Sequence, residues 1–179
     1  MPKLWIYLPI DRGRAYAVDA DKSIGKPMSG GIIFIPIFVL ISLLVVPFDW
    51  KFIGILSCVV LAMIVGFLDD NSKKGWSEYS LGAMDLIIAL LASVIICELE
   101  PLVMWLPVFK DPLEISPSLF IFASTILIWT SINATNCTDG VDGLSASLSS
   151  MAILFLGGIL YGIVGHADIS QYLLVPHYE

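Results

Sequence analysis

Long apolar runs alternate with short polar segments along this chain. The runs cover about 32–48, 52–68, 81–97, 118–133 and 144–164. At about 1.5 Å of rise per residue, a helical run of this length suits a hydrocarbon core of ~30 Å. The first run just spans that core with its flanking glycines, and Pro36 falls near its start, where a kink is tolerated. The pattern predicts an all-α fold, a polytopic membrane helix bundle of about five transmembrane helices. It reads as a single membrane domain over 1–179, opened by a basic segment at 1–31.

Composition agrees with a bilayer environment. The chain is 58% hydrophobic and 14% charged, against about 45–50% and about 25% in soluble domains. Mean hydropathy is +0.90. Lys3, Arg12, Arg14, Lys22, Lys26, Lys73 and Lys74 fall on one face when crossings are counted, and only Lys51 and Lys110 on the other. The positive-inside bias therefore puts the N-terminus, 69–80 and 131–143 in the cytoplasm. The formal net charge of −7 argues against a nucleic-acid partner, because phosphate backbones select basic surfaces. No signal peptide is expected, since 1–21 has no apolar stretch ending in a small-residue cleavage site. Cys58, Cys97 and Cys137 share no metal or redox spacing and read as small buried hydrophobes.

Three polar segments on the cytoplasmic face carry the candidate chemistry. GFLDDNSKK closes the second run. Adjacent carboxylates at Asp69 and Asp70 oppose the helix dipole and sit at the edge of hydrocarbon. A cation beside them would relieve both costs, and Mg²⁺ prefers such oxygen ligands. Lys73 could pair with a carboxylate or hold a phosphate. The alternative is an acidic helix end with lysine counter-ions. In NATNCTDGVDGL the polar residues Asn133, Asn136, Asp139 and Asp142 recur every third position, which groups them on a helix or tight turn. Amides and carboxylates together suit a nucleotide; the alternative is a polar loop with two Asp-Gly turns. In KSIGKPMSGG, Lys22 and Lys26 could meet a diphosphate and the glycines expose backbone N–H groups. Topology and close packing would explain the same residues. Asp85 reads as a helix N-terminal acid favoured by the dipole. Trp76, Trp105 and Trp129 suit interfacial positions, and His166 and His177 read as ordinary polar residues.

These segments resemble the polyprenyl-phosphate N-acetylhexosamine phosphate transferases. GKPMSGGIIF at 25–34 is similar to that family's glycine-rich segment. Asp69, Asp70 and Lys73 match its Asp-Asp-x-x-Lys motif. Residues 133–144 match Asn-x-x-Asn-x-x-Asp-Gly-x-Asp-Gly-Leu throughout. The family often has Thr where Lys26 stands and a basic residue near Leu81, so details of substrate contact differ. The resemblance implies further helices before Met1 and after residue 179, the latter with another metal-binding Asp and a His-containing loop. The chain would then be part of a longer protein.

The resemblance also implies an activity. A phospho-N-acetyl-sugar, phospho-N-acetylmuramoyl-pentapeptide foremost, would pass from a UDP-sugar to undecaprenyl phosphate with release of UMP, in the bacterial inner membrane. UDP-N-acetylglucosamine is the alternative donor. Mg²⁺ would be the cofactor, near Asp69, Asp70 and Asn136. Asp69 and Asp70 would be catalytic, with the base left open between them. Lys73 would hold phosphate, Asp139 and Asp142 would bind the uridine side, and Asn133 would support their loop. Membrane lipid surrounds the chain, and a homodimer is among the arrangements allowed. Rival readings are a transporter, whose acids usually lie nearer the midplane, and a non-catalytic membrane segment packing with a partner. A CDP-alcohol phosphotransferase would need an Ala-Arg pair after its first Asp-Gly, which is not present.

Overall fold

The structure is a computed structural model that describes residues 8–11, 24–72, 75–99, 101–104, 113–138 and 143–173. Six α-helices follow in order: α1 (Gly31–Val45), α2 (Trp50–Asn71), α3 (Glu78–Cys97), α4 (Pro117–Thr138), α5 (Leu144–Ile159) and α6 (Ala167–Leu173). A short antiparallel hairpin, β1 (Leu102–Met104) with β2 (Leu113–Ile115), links α3 to α4 and pairs Val103 with Glu114. A π-helical turn, Leu160–Val164, continues α5. Among the described residues the fold is therefore all-α apart from one hairpin, and its helices make it an integral membrane protein. The chain divides into two compact units, Met1–Thr130 and Ser131–Glu179.

Among the described residues, four helical stretches are long and apolar enough to cross a membrane: Trp50–Asn71, Glu78–Cys97, Pro117–Thr138 and Leu144–Ile163. The first apolar run, expected as a fifth span, gives a helix of 15 residues, or about 22 Å at 1.5 Å per residue. Pro47 explains the early stop. It disfavours helical geometry at the residue before it, and Val46 is extended at φ −90°, ψ 133°. Asp49 then caps α2 by accepting a hydrogen bond from the Phe52 N–H. The polar turn at 49–51 is thus the start of the next helix.

Within the first unit, α2 packs against both α1 and α3. The buried strip of α3 carries the small residues Ala89, Ser93 and Cys97, four apart on one face, with Ile88 beside them. Small residues let helices approach closely in lipid, where burial of apolar surface supplies no drive. The Ser93 hydroxyl satisfies itself on the Ala89 carbonyl. Gly54 of α2 meets Ile95, whose Cγ2 would lie 3.0 Å from an added Cβ. The Trp129 Nε1–H donates to the Gly82 carbonyl at 2.8 Å, tying α4 to α3. Lys51 and Glu98 form an ion pair of 2.9 Å at the opposite ends of α2 and α3. Leu44, Phe48 and Trp50 are more than 70% exposed, as expected where lipid is the solvent.

Two further expectations change. Since α3 begins at Glu78, Asp85 lies about two turns in, past the first turn where the dipole acts; Glu78 occupies that favoured place. Cys58 and Cys97 are buried as expected, but Cys137 is exposed on α4. In the second unit, the end of α4 and the apolar α5 carry no buried residue, and α6 packs on the π-helical turn. Trp105, His177 and most of 1–23 lie outside the described residues.

Gly54→Leu should destabilise the detergent-solubilised protein by about 1–3 kcal/mol, because Ile95 has to give way. Gly158→Ala, where an added Cβ meets nothing, should leave the thermal midpoint unchanged or slightly raised. Equal midpoints for Gly54→Leu and the parent would show that α2 and α3 are not packed at this contact.

Candidate functional site

The last turn of α2 holds Asp69 and Asp70, both half-buried. Consecutive helical residues point about 100° apart, and these two carboxylates reach different partners. Asp69 Oδ1 accepts the Trp76 backbone N–H at 2.6 Å. Gly75, directly before Trp76, has a φ of +69° that favours glycine. Ser77 then caps α3 by accepting from the Ser80 N–H. One carboxylate oxygen therefore fixes the connection from α2 to α3.

Asp70 reaches in the other direction. Its Oδ2 accepts the Ser29 hydroxyl proton at 2.6 Å, across 41 residues of sequence. Ser29 sits just before α1 with φ +58°, a left-handed conformation uncommon outside glycine. The segment that presents it is pinned by a small ribbon. Met28 N–H donates to the Pro9 carbonyl, Asp11 N–H to Lys26, and Gly25 N–H to Asp11. Gly25, in this ribbon, has a φ of +86°, which favours glycine. The glycine-rich segment and the acidic pair, distant in sequence, thus meet. Between α1 and α2 lies a hollow of about 200 Å³. Ser29 and Asp70 form its polar wall, and Ile32, Met63, Gly66 and Phe67 its apolar one. Lys26 is exposed, while Lys22 and Lys73 lie outside the described residues.

The second unit carries the other motif. Helix α4 runs to Thr138, so Asn133 and Asn136 are helical and one turn apart. Asn133 is half-buried and Asn136 exposed. Asn136 lines a hollow of about 460 Å³ with Ser131, Ile132, Thr135 and Ser145. The Thr135 hydroxyl is committed to the Ser131 carbonyl at 2.8 Å. Gly143, at φ +78°, opens α5. Asp139 and Asp142 lie outside the described residues.

Among the described residues, no three His, Cys, Asp or Glu side chains gather as a metal-binding group. The donor chemistry at the acidic pair nevertheless suits a hard divalent cation. Each carboxylate gives one oxygen to an uncharged N–H or O–H donor. Among the described residues neither forms an ion pair, so each keeps an oxygen for a further partner. Sequence reasoning missed Ser29, treating its segment as lysines and glycines. The signal was a hydroxyl residue set directly before the Gly30–Gly31 pair. It also missed that Asp69 has a structural duty to Trp76.

Comparison with known proteins places the chain in a family. The glycosyl transferase family 4 profile matches residues 52–176, most of the chain, which therefore belongs to that family. Its relatives include phospho-N-acetylmuramoyl-pentapeptide-transferase of Treponema pallidum (strain Nichols), 42% identical over 98% of this chain and 49% of the relative. The protein of that name from Campylobacter jejuni (strain RM1221) is 35% identical over 90% of this chain and 48% of its own length. That from Aquifex aeolicus (strain VF5) is 31% identical over 84% and 44%. The chain spans about half the length of the curated relatives it matches.

Asp69→Ala should release the α2–α3 connection, and hydrogen exchange at the Trp76 amide should quicken about tenfold or more. Asp69→Asn retains a carbonyl acceptor and should keep that amide slow. Equal exchange in parent and Asp69→Ala would show that the carboxylate does not hold the loop.

Proposed function

We propose that this chain forms part of a membrane enzyme that transfers phospho-N-acetylmuramoyl-pentapeptide from its UDP-linked form to undecaprenyl phosphate, releasing UMP. The chemistry takes place at the cytoplasmic face of the bacterial inner membrane. The observation that carries the reading is the acidic pair at the end of membrane-length α2, in a chain matching relatives that bear this transferase name. The hollow beside Asp70 adds support, because an amphiphile with a phosphate head and an apolar tail suits its mixed walls.

The reaction balances as a phosphoryl substitution. An oxygen of the lipid phosphate attacks the sugar-bearing β-phosphorus, and a new diphosphate bond forms. The bond between the β-phosphorus and the bridging oxygen breaks, and UMP carries that oxygen away. Asp69 and Asp70 orient the lipid phosphate, and one of them takes up any proton it brings. Lys73 neutralises phosphate charge as a point cation. Asp139 and Asp142 accept hydrogen bonds from the uridine, with Asn133 supporting their loop. Asp69 and Asp70 are the oxygen donors that would hold Mg²⁺. When bound, that ion supplies charge neutralisation on the diphosphate. The oxygens left over on the two aspartates are consistent with that use.

The test is Mg²⁺-dependent UMP release in detergent by the full-length protein, given undecaprenyl phosphate and one UDP-sugar at a time. Turnover is expected with the muramoyl-pentapeptide donor, and a fall of about a hundredfold or more in Asp70→Asn or Asp142→Asn. Turnover with UDP-N-acetylglucosamine alone would reassign the sugar. No release with any donor would remove the transferase reading. Gly66→Leu, which fills the hollow, should raise KM for undecaprenyl phosphate several-fold while leaving that for the UDP-sugar within about twofold. An unchanged lipid KM would place the lipid elsewhere.

A further inference from the structure

We propose that Ser29 is a positioning residue that fixes the Asp70 carboxylate in its working orientation. The inference rests on the reading of Asp70 given under the proposed function. Three features point to it. The Ser29 hydroxyl lies 2.6 Å from Asp70 Oδ2, a short separation of the kind found when a hydroxyl donates to a charged acceptor. The backbone at Ser29 holds φ +58°, strain that persists only where surroundings impose it. Those surroundings are present: the ribbon of residues 9–11 with 25–28 clamps one side, and α1 begins on the other.

The consequence for Asp70 is geometric. Its side chain stands on the last turn of α2, half-buried beside the hollow, and without a partner it would rotate among its staggered positions. Ser29 occupies Oδ2 and leaves Oδ1 as the oxygen available to a phosphate group or a divalent cation. Carboxylates that meet metals are themselves commonly held by a hydrogen bond, and losing such a partner typically costs 10–100-fold in affinity or activity. A glycine at 29 would adopt the same φ without strain but could not hold the carboxylate. The left-handed backbone at Ser29 is thus retained together with the hydrogen bond to Asp70.

The experiment compares the parent protein at full length with Ser29→Ala, Ser29→Gly and Asp70→Asn. It follows UMP release and, separately, Mn²⁺ affinity by electron paramagnetic resonance without substrate. In both Ser29 variants kcat should fall about tenfold or more, with KM for the UDP-sugar within twofold, and Mn²⁺ affinity should fall by a similar factor. Ser29→Gly should show a thermal midpoint close to the parent's, because relief of the left-handed strain offsets the lost hydrogen bond, which separates lost positioning from lost folding. In the Asp70→Asn background, Ser29→Ala should change Mn²⁺ affinity by less than twofold, since nothing is left to position. If Asp70→Asn loses turnover while Ser29→Gly keeps it within twofold, the positioning role is refuted and the transferase reading stands. If Asp70→Asn keeps full turnover, the role of Asp70 fails and the Ser29 proposal falls with it.

Discussion

Two negative charges at the C-terminal end of a membrane helix constrain everything around them. The α2 dipole already concentrates partial negative charge at that end, and the bilayer interface solvates poorly. The molecule answers with donors brought from both directions. Ser29 arrives from the segment before α1, and the Trp76 amide from the segment after α2. Each donor needs an unusual backbone nearby: φ +58° at Ser29 itself, and φ +69° at Gly75, just before Trp76. The loops on this side are therefore shaped around the carboxylates.

The helices were legible because a run of about 20 apolar residues has few other fates. The ends of these helices were less so. Hydropathy stops at residue 68, whereas hydrogen bonding continues through Asp69 and Asp70 to the Ser72 cap. A polar residue interrupts an apolar count without interrupting a helix. The same reason carries α4 past Asn133 to Thr138. At the other extreme, the run from 32 to 48 promised a span but meets Pro47, whose local restriction overrides composition. The β1–β2 hairpin went unseen because its strands are three residues each, too short for alternation to register.

Motif spacing singled out the acidic pair and the two asparagines, which lie in the last turns of α2 and α4. What spacing could not supply was the pairing across 41 residues between Ser29 and Asp70. No local periodicity encodes a long-range hydrogen bond. The hint was chemical, a hydroxyl residue directly before the Gly30–Gly31 pair. Lysines drew attention instead because charge is visible in a sequence and backbone conformation is not.

The polar contacts in the first unit gather near helix ends. Trp129 to Gly82, Asp69 to Trp76 and Ser29 to Asp70 lie around the end of α2 and the start of α3. Lys51 with Glu98 lies at the other ends of the same two helices. Between the ends there are small residues and apolar contact, with Ser93 satisfied by its own helix. Such a division follows from the solvent. In hydrocarbon, apolar side chains gain little from leaving lipid for protein, so they set insertion and not arrangement. Arrangement then depends on close approach at residues such as Gly54 and on the few hydrogen bonds at the rims. The exposed ion pair contributes little there. The bonds to the two aspartates are charge-assisted and partly shielded from water, so they carry more of the registration of α1 and α3 against α2. The groups that would do the chemistry are thus also among those that set the helices in place.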